Sequence, residues 1–179
     1  MTNTLESPSQ IDQIIEKRFS PRKFTGTPIS EEILGHIFNQ AKWAASCFNE
    51  QPWRFYYAHQ GSEGFDKIHQ CLSEGNKPWT QNASVLIIAS AKTRFARNNK
   101  ENRHAWYDLG QSVATLALSA WEKGIGIHQM AGFDAAKAKE LLKLEEDEDA
   151  VTAIAIGPFD ETKEDRSRNS VSDFTKNIE

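Results

Sequence analysis

The stretch from residue 44 to residue 53, Ala-Ala-Ser-Cys-Phe-Asn-Glu-Gln-Pro-Trp, concentrates side chains that can form directed hydrogen bonds. Ser46, Asn49 and Gln51 lie between an amphipathic segment and an aromatic one, and Pro52 requires any preceding helix to end by residue 51. A polar connection held between two hydrophobic elements is suited to recognising a flat ligand with a polar edge. The alternative is a helix end whose amides only satisfy the local backbone.

Two arginines flank a serine in the segment Arg18-Phe-Ser-Pro-Arg22. Guanidiniums this close repel each other unless solvent or an anion lies between them. A phosphate held by Arg18, the Ser20 hydroxyl and nearby backbone N–H groups would satisfy both charges. A solvated turn with surface arginines remains the alternative. A second basic pair, Arg166 and Arg168, lies in the polar tail.

The sequence gives little support for a metal site, a nucleophilic serine or cysteine, or a P-loop. The five histidines fall on different elements without the spacing of metal ligands, so no metal site is predicted. Neither a G-x-S-x-G elbow nor a P-loop is present. Cys47 could be a nucleophile, but a small packing residue at a helix end is the favoured interpretation. The acidic run at residues 145–149 is interpreted as a solvated loop.

Composition narrows the function classes. A net charge of −4 over 179 residues argues against a nucleic-acid binder with a broad basic surface. No apolar run approaches the roughly 20 residues that a membrane span requires. The first eight residues lack the basic and apolar regions of a signal peptide, and two cysteines form no disulfide framework. A cytoplasmic protein without membrane or nucleic-acid partners is therefore expected.

Helices and strands are predicted to alternate, which indicates a single α+β or α/β domain spanning residues 1–179, with polar ends at 1–8 and 158–179. The longest helix has small and apolar residues on more than one side. Its second side is therefore expected to pack on another subunit. Gly75 to Trp79 is predicted to be a turn. Apolar periodicity places helices at about 10–17, 31–41, 65–72, 101–123 and 135–144, and strands at about 54–59, 84–90 and 150–157.

Arg18-Phe-Ser-Pro-Arg22 followed by Asn49-Glu-Gln-Pro-Trp53 resembles the nitroreductase family of flavin-dependent oxidoreductases. The later landmarks agree in order from about residue 10 to 170: Gly75-Asn76, Gly124-Ile-Gly126, Gly132-Phe-Asp134, Ile154-Ala-Ile-Gly157 and Arg166-Ser-Arg168. The resemblance implies an α+β sandwich with a mostly antiparallel central sheet flanked by helices, assembled as an intertwined homodimer. It also implies two FMN molecules at the subunit interface.

Carried over residue by residue, the resemblance assigns a cofactor-binding set. Four residues would hold the phosphate, two would bond the ring edge, one subunit would line a ring face, and the partner would cover the ring. The phosphate group is Arg18, Ser20, Arg166 and Arg168, helped by the backbone of Phe19; the ring-edge residues are Arg22 and Asn76; the face is Gln129, Met130, Ala131 and Gly132; and the cover is Ala45, Ser46, Cys47 and Asn49, with Gln51 included in the set.

The implied activity moves reducing equivalents from NADH or NADPH through FMN to a small acceptor such as a nitroaromatic or a quinone, in alternating half-reactions. No side chain is assigned as catalytic, because the cofactor carries the chemistry. The family often has Pro-Ser-Ser where this chain has Ala45-Ser46-Cys47, and some members carry an acidic residue at the position of Ala131. The alternatives are a flavin-binding or sensing module without turnover, and a flavin-free domain that binds an apolar small molecule.

Overall fold

The computed structural model of the chain describes residues 9–162 and 166–178. Within these ranges the strands form one sheet in the order β1-β2-β4-β3, with every neighbouring pair antiparallel. The helices are α1 (Gln10–Lys17), α2 (Glu31–Ala41), α3 (Glu63–Cys71), α4 (Lys77–Thr80), α5 (Ala105–Glu122), α6 (Ala135–Leu142) and α7 (Val171–Phe174), and the strands are β1 (Trp53–His59), β2 (Val85–Lys92), β3 (Gly126–Met130) and β4 (Glu148–Gly157).

The apolar strand β2 lies in the middle of the molecule, as its sequence predicts, because helices cover both faces of the sheet. Side chains on a strand alternate between faces. Val85, Ile87 and Ala89 therefore pack with α2 and α5, while Leu86 and Ile88 pack with α3 and α6. The result is a three-layer α+β arrangement with one core on each side of the sheet.

Polar caps begin the helices where the sequence places them. Ser9 caps α1 in a reciprocal capping box with Asp12, and the Ser30 hydroxyl accepts a hydrogen bond from Ile33 N–H. Asp134 caps α6 in the same way. Gly124 follows α5 with a φ of 72°, a left-handed conformation in which glycine is unstrained.

Two predicted boundaries are wrong. The long helix begins at Ala105, not near residue 101, because residues 93–102 form a hairpin in which Phe95 N–H donates to Lys100 O at 2.8 Å. The predicted turn at 75–79 contains the short helix α4, with Pro78 in its first turn. Proline is compatible with that position because the first N–H groups of a helix have no intrahelical partner.

The acidic run is not wholly a solvated loop, which corrects the sequence interpretation. Glu148 belongs to β4 and is fully buried. Its carboxylate accepts hydrogen bonds from the hydroxyls of Tyr56, at 3.0 Å, and Ser90. Burial, together with the hydrogen bond to Glu148, raises the pKa of Tyr56 to about 12. The run of five acidic residues does not reveal that Glu148 is buried, because its burial depends on the strands that pair with β4.

Candidate functional site

Residues 18–22 are held in place by an aromatic anchor. Arg18 ends α1, and the next side chain, Phe19, is buried against Trp121 and Phe159, with ring centroids 5.3 and 5.5 Å away. The exposed Ser20 follows Phe19 directly. The anchor therefore fixes Arg18 and Ser20 beside the C-terminal end of α5.

Three guanidiniums converge at this place. Arg166 donates hydrogen bonds to the backbone carbonyls of Arg18 and Glu16, which joins the C-terminal arm to the end of α1. Burial lowers the pKa of Arg18, and the positive charges of Arg166 and Arg168 lower it further. Arg166 Nε is buried and has no partner among the described residues. Such a cluster of like charges with an unsatisfied donor is a site for an anion.

Arg22 lies apart from this cluster, on an aromatic stack. Its guanidinium sits 5.7 Å from the ring centroid of Trp79, and Trp79 lies 4.5 Å from the His128 ring. His128 Nδ1 is 3.0 Å from the carbonyl of Pro21. Burial lowers the pKa of His128, so the neutral ring with its proton on Nδ1 can donate to that carbonyl. Sequence analysis missed Trp79 and His128, since neither belongs to a motif.

Gly126 allows β3 to approach this stack. A Cβ there would lie 2.5 Å from Pro21 Cγ and 2.7 Å from Phe159 Cδ1. The second glycine of Gly124-Ile-Gly126 is thus a close-packing position rather than part of a nucleotide-binding loop. It brings His128 to the backbone of Pro21.

A second contact joins the loop of Asn76, which the resemblance places at the ring edge, to the loop of Gly132, which it places along a ring face. Asn76 Nδ2 donates to Gly132 O at 3.0 Å, and Ser73 N–H donates to the same oxygen at 2.9 Å. A Cβ on Gly132 would lie 2.7 Å from Ser73 Oγ and 2.8 Å from Asn76 Nδ2. Gln129 and Ala131 are exposed, whereas the Met130 side chain lies in the core and leaves only its backbone for a ligand.

The segment of residues 45–51, called here the cover segment, is held in a strained conformation. Phe48, Asn49 and Gln51 have φ values of 54°, 58° and 50°. Such left-handed residues are rare for side chains other than glycine and persist only where surrounding contacts enforce them. Cys47 N–H supplies one such contact by donating to the buried carboxylate of Asp108 at 3.0 Å.

Several polar groups of the cover segment are used internally. The Ser46 hydroxyl accepts Gln51 N–H at 3.0 Å, and Gln51 Nε2 donates to Asn49 O at 3.1 Å. The local-backbone interpretation therefore holds for Ser46 and Gln51. The exposed side-chain amide of Asn49 makes no hydrogen bond within the described ranges, which leaves it free to bind a ligand.

One chain does not bring its cover segment to its own arginine cluster. The cover segment is attached to α5 at Asp108, whereas Phe19 packs on Trp121 near the other end. At 1.5 Å per helical residue, these two positions are about 20 Å apart. The arginine cluster and the cover segment therefore lie at opposite ends of one helix.

Large apolar side chains are exposed around the cover segment and along the C-terminal arm. Trp43, Phe48 and Tyr107 are 75%, 70% and 68% exposed. On the arm, Phe174 and Ile178 are 69% and 93% exposed. Large apolar side chains exposed to this extent, several of them near the cover segment, point to an interaction surface.

Two features are absent from the described residues. Their helices include none with the length and apolar character to cross a membrane. They also contain no group of three or more His, Cys, Asp or Glu residues arranged to hold a metal ion.

The sequence profile described as the Nitroreductase family matches residues 15–77 and 62–158. The chain belongs to the nitroreductase family. Among curated relatives of this nitroreductase, a Bacillus subtilis strain 168 protein with the provisional name NAD(P)H nitroreductase YfhC is 26% identical, and the alignment covers 98% of each chain. A Xanthomonas oryzae pv. oryzae protein, provisionally named NADH dehydrogenase/NAD(P)H nitroreductase, is 27% identical over 76% of this chain and 78% of that protein.

Solved structures agree on the fold. A crystal structure described as an oxidoreductase containing FMN has 32% identity and a TM-score of 0.80, covering 90% of this nitroreductase and 83% of that chain. A Desulfovibrio desulfuricans protein, provisionally named a nitroreductase and solved in complex with FMN, has a TM-score of 0.80 at 22% identity. The match covers 96% of this chain and 98% of that chain. At that identity the likeness concerns the fold alone. The predicted family and the predicted α+β fold class are thereby confirmed.

Proposed function

We propose that this nitroreductase is an FMN-dependent oxidoreductase that takes reducing equivalents from NADH or NADPH and delivers them to a small acceptor such as a nitroaromatic or a quinone. Its relatives carry names of that activity, and the 32%-identical structure is described as containing FMN. The observation that carries the proposal is the convergence of Arg18, Arg166 and Arg168 from the two ends of the chain.

The arginine cluster fits the phosphate of FMN. A phosphate monoester is a dianion with three acceptor oxygens, and guanidiniums bind such a group through paired N–H donors. The unpartnered Arg166 Nε and the exposed Ser20 hydroxyl are donors available to it. The phosphate would offset the mutual repulsion that lowers the pKa of Arg18.

Arg22 and the Asn76–Gly132 contact fit the polar edge of the flavin ring. Arg22 keeps its guanidinium over Trp79, and a cation there stabilises the negative charge that a reduced ring gains. The missing Cβ at Gly132 lets a backbone approach that any larger residue would block. Gln129, Ala131 and the backbone of Met130 continue this surface.

The chemistry that FMN supplies when bound is hydride acceptance and electron delivery, which we propose occurs in two alternating half-reactions. The protein's own residues bind the cofactor, orient it and exclude water from it. Asn49 can present its free amide to one side of the ring, and the rigid cover segment limits solvent access. No described side chain is assigned as the proton donor, and we propose that solvent supplies the proton.

We propose that a second copy of the chain supplies the cover. The cover segment is about 20 Å from its own arginine cluster along α5, and the surface around Tyr107 and Trp43 is apolar and exposed. A homodimer would bury that surface and place each cover segment over its partner's cofactor. Ala45, Ser46, Cys47, Asn49 and Gln51 then belong to a site completed by the other subunit.

The first test uses the purified full-length protein. We expect a yellow protein with one FMN per chain, bleached by NADH or NADPH without oxygen and reoxidised by added nitroaromatics or quinones. A colourless protein that cannot be reconstituted with FMN would overturn the proposal. FMN binding with slow reduction by both nicotinamides would instead support a flavin-sensing module.

A mixed dimer tests the shared site. One subunit carries Arg168→Ala, and the other carries Asp108→Ala, which removes the acceptor of Cys47 N–H. If each site combines arginines of one chain with the cover of the other, the mixed dimer contains one wild-type site. We then expect the mixed dimer to have about half of the wild-type activity, although each variant homodimer is impaired. Activity no greater than the mean of the homodimers would contradict a shared site.

A further inference from the structure

The connection between β2 and α5 is unusually basic for this chain. Residues 94–103, called here the basic hairpin, contain four cations and one carboxylate in a protein whose net charge is −4. All four cations are exposed, and none pairs with a carboxylate in the described part of the chain. They are Arg94, Arg97, Lys100 and Arg103. Unneutralised cations on an acidic protein are a candidate binding surface for an anion.

The basic hairpin has a defined shape. Phe95 N–H donates to Lys100 O at 2.8 Å, and Asn102 N–H donates to Thr93 O at 2.7 Å. Asn99 turns the chain with a φ of 56°. Asparagine tolerates this left-handed conformation better than most residues. The cations are therefore presented on an ordered scaffold.

The hairpin packs directly on the cover segment. Ala96 N–H donates to Glu50 Oε1 at 2.5 Å, and the rings of Phe48 and Phe95 meet edge to face at 5.9 Å. The Arg97 guanidinium lies 3.9 Å from the ring centroid of Phe48. Arg97 therefore lies at the exposed rim of the cover segment, on the ring of Phe48.

Arg97 keeps its hydrogen-bonding capacity in this position. A guanidinium stacks on an aromatic ring through its face, which leaves the N–H donors at its edge available. Those donors have no hydrogen-bond or ion-pair partner within residues 9–162 and 166–178. Arg94 differs, because Nη1 donates to Asn99 O and the residue lines an acidic cleft with Glu145 and Asp147. The side suited to an anion is that of Arg97.

Resting on the proposed function, we propose that Arg97 binds the 2′-phosphate of NADPH and makes NADPH the preferred donor of this protein. A nicotinamide must stack on the flavin ring beside the cover segment, so the rest of the dinucleotide extends past its rim. NADH and NADPH share the pyrophosphate and differ by one dianionic phosphate. A guanidinium edge recognises that group, and Arg97 and the ring of Phe48 beneath it are both exposed.

The test compares donors on the FMN-loaded dimer. Arg97→Gln removes the charge, and Lys67→Gln, on the exposed side of α3, is the control for an equal charge change elsewhere. We expect Arg97→Gln to lower the ratio of kcat/KM for NADPH to that for NADH about tenfold, as for one lost charge-assisted hydrogen bond. Lys67→Gln should leave the ratio unchanged. The KM for NADPH should also rise more steeply with salt in the wild type than in Arg97→Gln.

Two further measurements separate this role from a structural one. Phe48→Leu removes the ring under Arg97 but keeps its charge, and should preserve most of the NADPH preference. Reduced nicotinamide riboside, which has no phosphate, should reduce the wild type and Arg97→Gln at similar rates. Equal weakening of NADPH, NADH and the riboside, or an unchanged NADPH ratio, would overturn the inference while FMN binding and reduction still stand. Failure of every donor to reduce bound FMN would instead contradict the proposed function.

Discussion

The Arg166 guanidinium donates a hydrogen bond to the backbone carbonyl of Arg18, although 148 residues separate the two in sequence. This contact brings the C-terminal arm to the end of α1. With Arg168 close enough to lower the pKa of Arg18 further, the fold concentrates positive charge where the proposed function requires a phosphate.

Removing Arg168 should weaken the cofactor without unfolding the protein. Its only described hydrogen bond runs from Nη1 to the adjacent Ser167 carbonyl, so the fold does not depend on it. We expect Arg168→Ala to raise the Kd for FMN about 10- to 100-fold, the effect of losing charge-assisted hydrogen bonds. Fluorescence titration of the apoprotein measures this, with Arg168→Lys as the charge-preserving control. Wild-type affinity in Arg168→Ala would contradict the phosphate site.

A methyl group at Gly132 should disturb both stability and cofactor binding. The new Cβ would lie 2.8 Å from Asn76 Nδ2, so Asn76 must move or the loop must shift. We expect Gly132→Ala to lower the free energy of unfolding by about 1–3 kcal/mol, as for overpacking elsewhere. Urea denaturation of apoprotein and holoprotein measures it. Gly35→Ala is the control, since nothing lies within 4 Å of its new Cβ.

Asp108 should hold the cover segment in its strained shape. Asp108→Ala leaves Cys47 N–H without its acceptor, which should lower the free energy of unfolding by about 1–3 kcal/mol. Asp108→Asn retains an acceptor oxygen and should lose less. Hydrogen exchange of residues 45–51 reports the loosening directly. Unchanged exchange in Asp108→Ala would show that other contacts maintain the left-handed residues.

His128 should make the protein less stable in mild acid. Burial and nearby Arg22 lower its pKa below the usual 6.5, while the Pro21 and Ser20 carbonyls and Glu161 act in the opposite direction. The unfolded state therefore binds more protons as the pH falls below about 6.5, and the free energy of unfolding decreases. His128→Gln should flatten this pH dependence. The exposed His104→Gln serves as the control, and an equal slope in all three proteins would remove His128 as the cause.

The Glu148 network should be visible in a tyrosine titration. Burial, followed by the hydrogen bond and the charge of Glu148, raises the pKa of Tyr56 to about 12. Glu148→Gln removes the charge, so the pKa of Tyr56 should fall while staying above its ordinary 10.0, because burial is the larger cause. Ultraviolet titration follows tyrosinate formation, and Tyr56→Phe assigns the transition. A tyrosine titration unchanged by Glu148→Gln would contradict the contact.

The sequence by itself determined the family and most of the helices and strands, but not β3, α4 or α7. Apolar periodicity located α2, β2 and α6, and the caps Ser9, Ser30 and Asp134 followed from local rules. These properties depend on neighbours a few residues away, so a single sequence contains them. The landmarks from Arg18 to Arg168 are likewise short local motifs, and their order along the chain indicated the family. The assignment of residues 1–179 to one domain stays a prediction.

Only the tertiary structure decided which distant groups meet. It buried Glu148 between Tyr56 and Ser90, placed His128 on Trp79 beneath Pro21, and seated the basic hairpin on Phe48. It also separated the cover segment from its own arginine cluster by most of the length of α5, which is why the proposed site calls for a second copy. The physical reason is that burial and electrostatic interactions depend on distances in the folded structure. Spacing along the sequence does not give those distances for residues on different strands and helices.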